Sequence, residues 1–505
     1  MSRVRVRFSI LVGYISFTVR FFSAFLFTVF VVRYLSPQEF SVWVFGFSIL
    51  PIVSMGYDLW GWAFARRYAL GIKSSLSAAI ILNLAYMFIS SLALFFTSIY
   101  AVGYLGDPYR YLLVFIVNNV FNALSSLSGN LANVLRPDIG MSSMTVFELS
   151  RVLIAYVLVR VLGTGIIGAI LSPALASAVS SLYVFYMLWR SNLIILSTHK
   201  VSSEIKTLLK MSILGLVDAV SRFLWNSDRV FLTIIAKATE AVSFLGVSYS
   251  LRGIISQVTS VPASVAYAKL LEEIRYSPRD VIYMIFLISS PVLIYSIVLS
   301  KPLVTLLNPV YSEMSSIVFL IMIDGFLSGL ANVFTSIVYG LERRDLEAKT
   351  IKDLFKTSIG RIQVINFSRA ILFGVGVLIY SMAIYASLLS TSPIQAIVVV
   401  SLLLLLPTSS YLTYVVKEVV SQRSLDIDLR EISYMLFSAL LSSIVFVATS
   451  AWRIEILSIT RDVPPLIVLT IVALTIYIVI LYFLSRWLRD FLSSILKYIS
   501  AKIST

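Results

Sequence analysis

Long apolar stretches run along the whole chain and are separated by short polar segments that carry most of the charge. A stretch of roughly 20 apolar residues is long enough to cross a hydrocarbon core of about 30 Å. The alternation of period two that a membrane-spanning β-strand needs is absent, so the backbone polar groups have to be satisfied within helices. The pattern predicts an all-α polytopic membrane protein with about fourteen transmembrane helices.

Fourteen stretches of the sequence are predicted to span the membrane. The spans are 8–32, 40–58, 75–99, 110–134, 142–160, 165–189, 211–236, 241–264, 281–300, 314–340, 364–388, 393–416, 432–452 and 464–485. After the last span, apolar residues recur on one helical face at Leu488, Phe491, Leu492, Ile495, Ile499 and Ile503. An amphipathic tail of this kind is expected to lie along the inner membrane surface.

Two stretches half a chain apart share one layout. Arg20–Leu50 begins with an Arg-Phe pair in an apolar run, crosses an acidic turn at Glu39 and re-enters an apolar helix. Arg222–Arg252 repeats the Arg-Phe pair, has an acidic turn at Glu240 and continues in the same way. Such a recurrence predicts a duplicated membrane protein whose function lies at the seam between the copies.

The composition agrees with a membrane protein and excludes several kinds of chemistry. Of 505 residues, 59% are hydrophobic and 13% are charged, whereas a soluble domain has about a quarter charged residues. The chain has no cysteine and one histidine, His199, which excludes disulfides, thiolate nucleophiles and metal sites built from cysteine or histidine clusters. It also lacks the GxxxxGK[ST] loop of an ATPase. We therefore predict a protein that is not an enzyme and that uses no metal or cofactor.

The net charge of +15 is first a topology signal in a polytopic chain, and we predict no binding to nucleic acid. Lys and Arg are concentrated in alternate loops, which the positive-inside rule assigns to the cytoplasm. This orientation predicts a plasma-membrane protein with both termini in the cytoplasm. The external loops are then all short, so none could hold the catalytic residues of a glycan polymerase or ligase.

Several ionisable residues fall within predicted spans, where each costs about 2.5–3.5 kcal/mol on insertion scales unless it has a partner or meets water. Glu148 and Arg151 are three residues apart on the fifth span, and this spacing predicts an ion pair. The seventh span contains Asp218, Arg222, Asp228 and Arg229. These four charges could neutralise one another or could line a wet interior face.

Arg20, Arg252 and Arg369 have no acid at helical spacing, and Asp324 has no base. Either Asp324 pairs with one of these arginines across the bundle, or several of them line a cavity. Arginine stays charged and binds phosphate in a bidentate manner. Two such residues facing a cavity, Arg20 and Arg252, would suit an anionic ligand that carries phosphate.

Three segments resemble the multidrug/oligosaccharidyl-lipid/polysaccharide (MOP) exporter superfamily, and most closely its polysaccharide and lipid-linked-oligosaccharide flippases. VVRYLSPQEFSVWVF (31–45) is similar to the family's first loop. SRFLWNSDRVFL (221–232) is similar to its seventh helix, with the Asp-Arg element at Asp228 and Arg229. The segment 300–343 is similar to the stretch that leads through its tenth helix.

The resemblance implies an N-lobe of helices 1–6 (residues 1–190), a cytoplasmic linker (191–210) and a C-lobe of helices 7–12 (211–420). The remainder, 421–505, would supply two further helices that form a groove for a lipid tail, followed by the cytoplasmic tail. Relatives that flip lipid diphosphate sugars use cavity arginines on helices 1 and 8. This role is carried over to Arg20 and Arg252.

The resulting prediction is a flippase that moves a polyprenyl-(di)phosphate-linked oligosaccharide across the plasma membrane by alternating access. The predicted substrate-binding residues are Arg20, Arg252 and Arg222. Candidates for a cation or proton site, or for a cavity network, are Asp218, Asp228, Arg229, Asp324 and Arg369. Partners would be the lipid-linked glycan, membrane lipids and enzymes of glycan assembly. The alternative within the superfamily is a cation-coupled multidrug antiporter, and a structural scaffold would not explain the intramembrane arginines.

Overall fold

The computed structural model describes residues 19, 22–69, 71–105, 109–260, 263, 279–341, 356–422 and 427–493. Within these ranges the regular structure is helical and contains no strand. Where the structure describes them, the fourteen predicted spans overlap helices, and nine helices of the described part are long and apolar enough to cross a membrane. The prediction of an all-α polytopic membrane protein is confirmed.

The helices are numbered here in chain order. The first eleven are α1 (Phe22–Tyr34), α2 (Pro37–Leu59), α3 (Gly61–Ala69), α4 (Ser74–Leu105), α5 (Tyr109–Leu135), α6 (Pro137–Ala155), α7 (Ile166–Arg190), α8 (Val201–Met211), α9 (Ile213–Trp225), α10 (Ser227–Ile234) and α11 (Thr239–Ser260). The others are α12 (Arg279–Val298), α13 (Ser300–Leu307), α14 (Phe319–Leu341), α15 (Ser358–Tyr385), α16 (Pro393–Gln422), α17 (Leu429–Ala448), α18 (Ile459–Leu484) and α19 (486–493).

Packing divides the chain into two compact units. The first contains Met1–Gly246 and Asn366–Ala396, and the second contains Val247–Ile365 and Ile397–Thr505. The lobes and linker that the resemblance implies have different limits, because they follow the order of the spans and not the packing. They remain a prediction.

The polar turn SPQE begins α2 by satisfying its first backbone donors. The backbone N–H of Ser36 donates to Glu39 Oε2 over 3.0 Å, and the N–H of Glu39 donates back to Ser36 Oγ over 3.3 Å. This reciprocal capping box, followed by Pro37 at the first helical position, stabilises a helix start. A turn that is short and polar in the sequence is therefore a defined junction between two apolar helices.

Buried polar side chains join α2, α4 and α5 in the first unit. Tyr57 Oη lies 3.1 Å from Ser90 Oγ, and Asn119 Nδ2 donates to the same Oγ over 2.8 Å. Hydrogen bonds between such side chains hold helices together where lipid provides no hydrophobic driving force.

The segment between α7 and α9 is held against α3 by hydrogen bonds and an ion pair. Tyr68 of α3 is fully buried; its hydroxyl donates to the carbonyl of Leu193 over 2.8 Å and accepts from the N–H of Ile195 over 2.7 Å. Arg67 makes a two-point ion pair with the buried Glu204 of α8, with 2.8 Å between Arg67 Nη2 and Glu204 Oε2. Hydrogen bonding to this carboxylate raises the pKa of Arg67.

In the second unit, α17 and α18 pack beside α12, and α19 folds back onto the same helices. Glu431, in the first turn of α17, accepts hydrogen bonds from Ser485 Oγ over 2.5 Å and from the N–H of Trp487 over 3.3 Å. The indole N–H of Trp487 donates to Asp280 of α12 over 3.1 Å. Leu488 is buried as well. The described start of the amphipathic tail therefore packs against protein, while Ile495, Ile499 and Ile503 lie outside the described residues.

Candidate functional site

Two of the predicted site residues cannot be placed in full. Arg20 lies outside the described residues, just before α1. Asp218 belongs to α9, but its side chain is not among those that the structure describes. The other six, Arg222, Asp228, Arg229, Asp324, Arg252 and Arg369, all have described positions.

The seventh predicted span is interrupted at Asn226, between α9 and α10. The Asn226 side chain donates from Nδ2 to the carbonyl of Arg222 over 2.8 Å and accepts from Arg229 Nη2 over 2.6 Å. Asparagine favours such local bonds over a continuous helix. The prediction of one helix over 211–236 is therefore corrected: two shorter helices, α9 and α10, meet at Asn226.

Asp228 lies in the first turn of α10 and is fully buried. Arg229 Nε lies 3.5 Å from Asp228 Oδ1, so the Asp-Arg element of the sequence forms a local ion pair. The positive end of the α10 dipole stabilises the same carboxylate. Arg222, one turn before the break, has an exposed side chain.

Arg369 of α15 stacks on an aromatic ring beside the helix break. Its guanidinium carbon lies 4.5 Å from the centre of the Trp225 ring, and Trp225 stacks on Phe373 with 5.1 Å between ring centres. Guanidinium and indole planes attract each other because the ring face is electron-rich. No role was predicted for Trp225, although a tryptophan directly before the polar Asn226 could have pointed to it.

Replacing Trp225 by leucine should lower the free energy of unfolding by about 1–2 kcal/mol, because it removes an aromatic pair and a cation–π contact. Trp225→Phe keeps a ring at this position and should lose less than half as much. Thermal unfolding of the two variants in mild detergent tests the difference. Equal stabilities of Trp225→Leu and the wild type would show that the stack contributes nothing.

Arg252 and Asp324 meet in the second unit, although 72 residues separate them. Arg252 Nε lies 2.5 Å from Asp324 Oδ2; Asp324 is completely buried, while 22% of the Arg252 side chain is exposed. The second carboxylate oxygen, Asp324 Oδ1, is buried and has no hydrogen-bond partner among the described residues. Of the two alternatives open for Asp324, the structure shows pairing with an arginine.

Two glycines of α14 allow this close approach. An added Cβ at Gly325 would lie 2.6 Å from the carbonyl oxygen of Arg252, and one at Gly329 would lie 2.5 Å from Thr259 Cβ. Small residues four apart let two membrane helices cross at short distance. This crossing was not predicted from the sequence, and the Gly-x-x-x-Gly spacing was the signal that could have revealed it.

The predicted pair of Glu148 and Arg151 on α6 is confirmed. Arg151 Nη2 lies 2.5 Å from Glu148 Oε2, and the Arg151 guanidinium also lies 4.3 Å from the centre of the Phe27 ring. Both side chains are largely buried. This ion pair is local to one helix and provides a comparison for the long-range pair of Arg252 and Asp324.

The site residues therefore form separate groups within their own units. Arg222, Asp228, Arg229 and Arg369 surround the helix break in the first unit, and Arg252 and Asp324 form a pair in the second. Nowhere in the described ranges do three or more potential metal ligands come together. The arrangement places arginines within stretches that the sequence predicts to span the membrane, and a guanidinium can attract and orient an anionic group.

No protein-family model and no curated protein matches this sequence. Solved structures do match. The lipid II flippase MurJ in an inward closed conformation has a TM-score of 0.61 at 12% identity, over 96% of this chain and 99% of its own. An inward-facing multidrug resistance MATE family transporter of the MOP superfamily has a TM-score of 0.55 at 14% identity, over 80% and 95%. A MOP superfamily transporter from Pyrococcus furiosus, described as having a binding pocket of reversed polarity, has a TM-score of 0.53 at 15% identity, over 83% and 95%.

Proposed function

We propose that this chain, which has the fold of the MOP superfamily transporters, is a flippase for an anionic, lipid-linked oligosaccharide. Its cargo would carry a polyprenyl phosphate or diphosphate, and the protein would move the headgroup across the plasma membrane by alternating access. No covalent step is needed. Both termini would lie in the cytoplasm, and the enzymes that assemble the glycan would be its partners.

The observation that carries this proposal is the guanidinium of Arg252. It lies on α11, within the predicted span 241–264; it forms an ion pair with the buried Asp324, and 22% of its side chain is exposed. An intramembrane charge is costly, and where one occurs it usually marks the path of a substrate or ion. A guanidinium held in a fixed position is suited to bind a phosphate in one orientation.

The length of the structural match favours a lipid cargo over a drug. The lipid II flippase matches almost the whole of this chain, whereas the MATE transporter matches four-fifths of it. The helices α17 and α18 pack along α12, and the three helices share one hydrophobic core in the second unit. Such an additional pair could border a lipid tail, which a water-soluble drug does not have.

The proposal is tested by mass spectrometry of lipids that stay bound during purification in mild detergent. We expect a polyprenyl (di)phosphate glycan to be enriched over bulk phospholipid. The enrichment should disappear when Arg252→Gln is combined with Asp324→Asn, and it should persist when Arg151→Gln is combined with Glu148→Gln.

The opposite result has a definite meaning. If only bulk phospholipid is retained, and vesicles containing the protein transport cationic dyes, the cation-coupled multidrug antiporter replaces the flippase. The buried carboxylate of Asp324 would then be the first residue to test for coupling to a cation. Arg20→Gln, compared with wild type in both assays, would show whether the predicted arginine of the first helix takes part.

A further inference from the structure

The segment from Trp189 to Leu209, at the end of α7 and through α8, has one face held by protein. Val201, Ile205 and Leu208 of α8 pack against the core of the first unit, together with Leu193 and Ile194. The hydroxyl of Tyr68 and the ion pair of Arg67 with Glu204 fix the same face, as described above. These contacts hold the segment in place, so its opposite, outward face keeps a fixed orientation.

Charge on that outward face has one sign. Glu204 is the single acidic residue between positions 189 and 209 in the sequence, and it is buried against Arg67. Arg190, Lys200 and Lys206 are all exposed. By turning its one carboxylate inward, the segment shows only positive charge to its surroundings.

Large apolar side chains are exposed beside these basic residues. Trp189 is 69% exposed, and Ile195 and Leu196 are exposed as well. They lie where the membrane-spanning helix α7 ends, which is the depth at which tryptophan anchors membrane proteins. Exposed apolar groups next to basic groups are the pattern of a surface that enters the headgroup region of a membrane.

We propose that this face, formed by Trp189, Ile195, Leu196, Arg190, Lys200 and Lys206 and called here the linker surface, docks on anionic lipid headgroups. The three apolar side chains enter the interface and the three basic ones contact lipid phosphates. Each basic residue near an anionic membrane surface favours binding by roughly fivefold. The inference does not depend on which cargo the protein transports.

The anchoring gives this contact a mechanical consequence. Since α3 and the linker are joined by Tyr68 and by the ion pair of Arg67 with Glu204, lipid bound to the linker surface also fixes the depth of the first unit. A linker that merely hung between spans would bind lipid without constraining the helices on either side.

The test follows the fluorescence of Trp189 in the full-length protein. Brominated phosphatidylglycerol is titrated into protein in mild detergent, and the Trp189 signal is taken as the difference between wild type and Trp189→Phe. We expect saturable quenching, with brominated phosphatidylcholine giving at most a tenth of the effect at equal concentration. The triple variant Arg190→Gln, Lys200→Gln and Lys206→Gln should raise the half-quenching concentration by roughly 100-fold.

A matched control removes the same charge elsewhere. Arg160→Gln, Arg453→Gln and Arg461→Gln replace three exposed basic residues outside the linker and should change the half-quenching concentration less than twofold. Equal quenching by the two lipids, or a shift below threefold in the linker triple variant, would overturn the proposal. Thermal unfolding of both triple variants establishes that each remains folded.

Discussion

Replacing Arg252 by glutamine is expected to reduce the free energy of unfolding by about 3–5 kcal/mol, because the completely buried carboxylate of Asp324 loses its counter-charge. The guanidinium Nε and the carboxylate Oδ2 are 2.5 Å apart, and the other carboxylate oxygen has no hydrogen-bond partner in the part of the chain that the structure describes. Thermal or denaturant unfolding in mild detergent measures this loss. A transport defect of the single variant is consequently not evidence that Arg252 touches cargo.

The double variant Arg252→Gln with Asp324→Asn separates the two roles. Two neutral amides can still form a hydrogen bond, because each offers both a donor and an acceptor. Stability should return to within about 1 kcal/mol of wild type, since neither residue is then left as an uncompensated buried charge. Transport of the co-purified lipid in vesicles should stay abolished, because the amide of glutamine carries no charge to bind phosphate.

The ion pair of Glu148 and Arg151 is the control for this cycle. It has the same groups at the same 2.5 Å separation and is also largely buried. Glu148→Gln with Arg151→Gln should recover stability in the same way and should also retain transport. If the 252/324 double variant transports at the wild-type rate, the Arg252–Asp324 pair is purely structural and the headgroup must be bound elsewhere.

The membrane-spanning helices could be predicted from the positions of the long apolar stretches alone. Apolar stretches give spans such as α12 and α18 to within a few residues, since a membrane helix needs little more than length and hydrophobicity. Contacts of short range were also accessible, as the pair of Glu148 and Arg151 shows. These two residues are three positions apart on one helix.

For contacts between residues far apart in the sequence, the sequence indicated alternatives but did not decide between them. The sequence identified Asp324 and three arginines as residues in need of partners, but hydropathy does not state which helices are neighbours. The break at Asn226 was missed for a related reason: one asparagine inside an apolar run leaves the run's length unchanged. Its effect comes from hydrogen bonds to Arg222 and Arg229.

The anchoring of the linker shows a third limit. Residues 191–210 were predicted only as a cytoplasmic connection, because their composition is that of an ordinary polar loop. Their fixed position depends on the Tyr68 hydroxyl and on the carboxylate of Glu204 reaching Arg67. Tyr68 is 125 residues from Leu193, and Glu204 is 137 residues from Arg67. Contacts at such separations leave no local pattern in the sequence.

Adding one methyl group at Gly325 is expected to destabilise the protein by about 1–3 kcal/mol, the usual cost of overpacking. The new Cβ would lie 2.6 Å from the Arg252 carbonyl oxygen and 3.2 Å from its Cα. Both are backbone atoms, so relief requires α11 and α14 to separate. That movement would lengthen the contact of Arg252 with Asp324.

Gly253→Ala is the matched control, because Gly253 is the next residue after Arg252 on α11. Apart from the adjoining residues and backbone of its own helix, no atom of the described residues lies within 4 Å of its added Cβ. A glycine in a helix interior is less favourable than alanine by about 0.5–1 kcal/mol, so this variant should be neutral or slightly stabilised. Unfolding of the two alanine variants gives the difference directly. If Gly325→Ala is as stable as Gly253→Ala, the two helices do not cross as closely as described. If Gly325→Ala is destabilised and also loses lipid retention, the crossing is what holds the Arg252 guanidinium in place for an anionic headgroup.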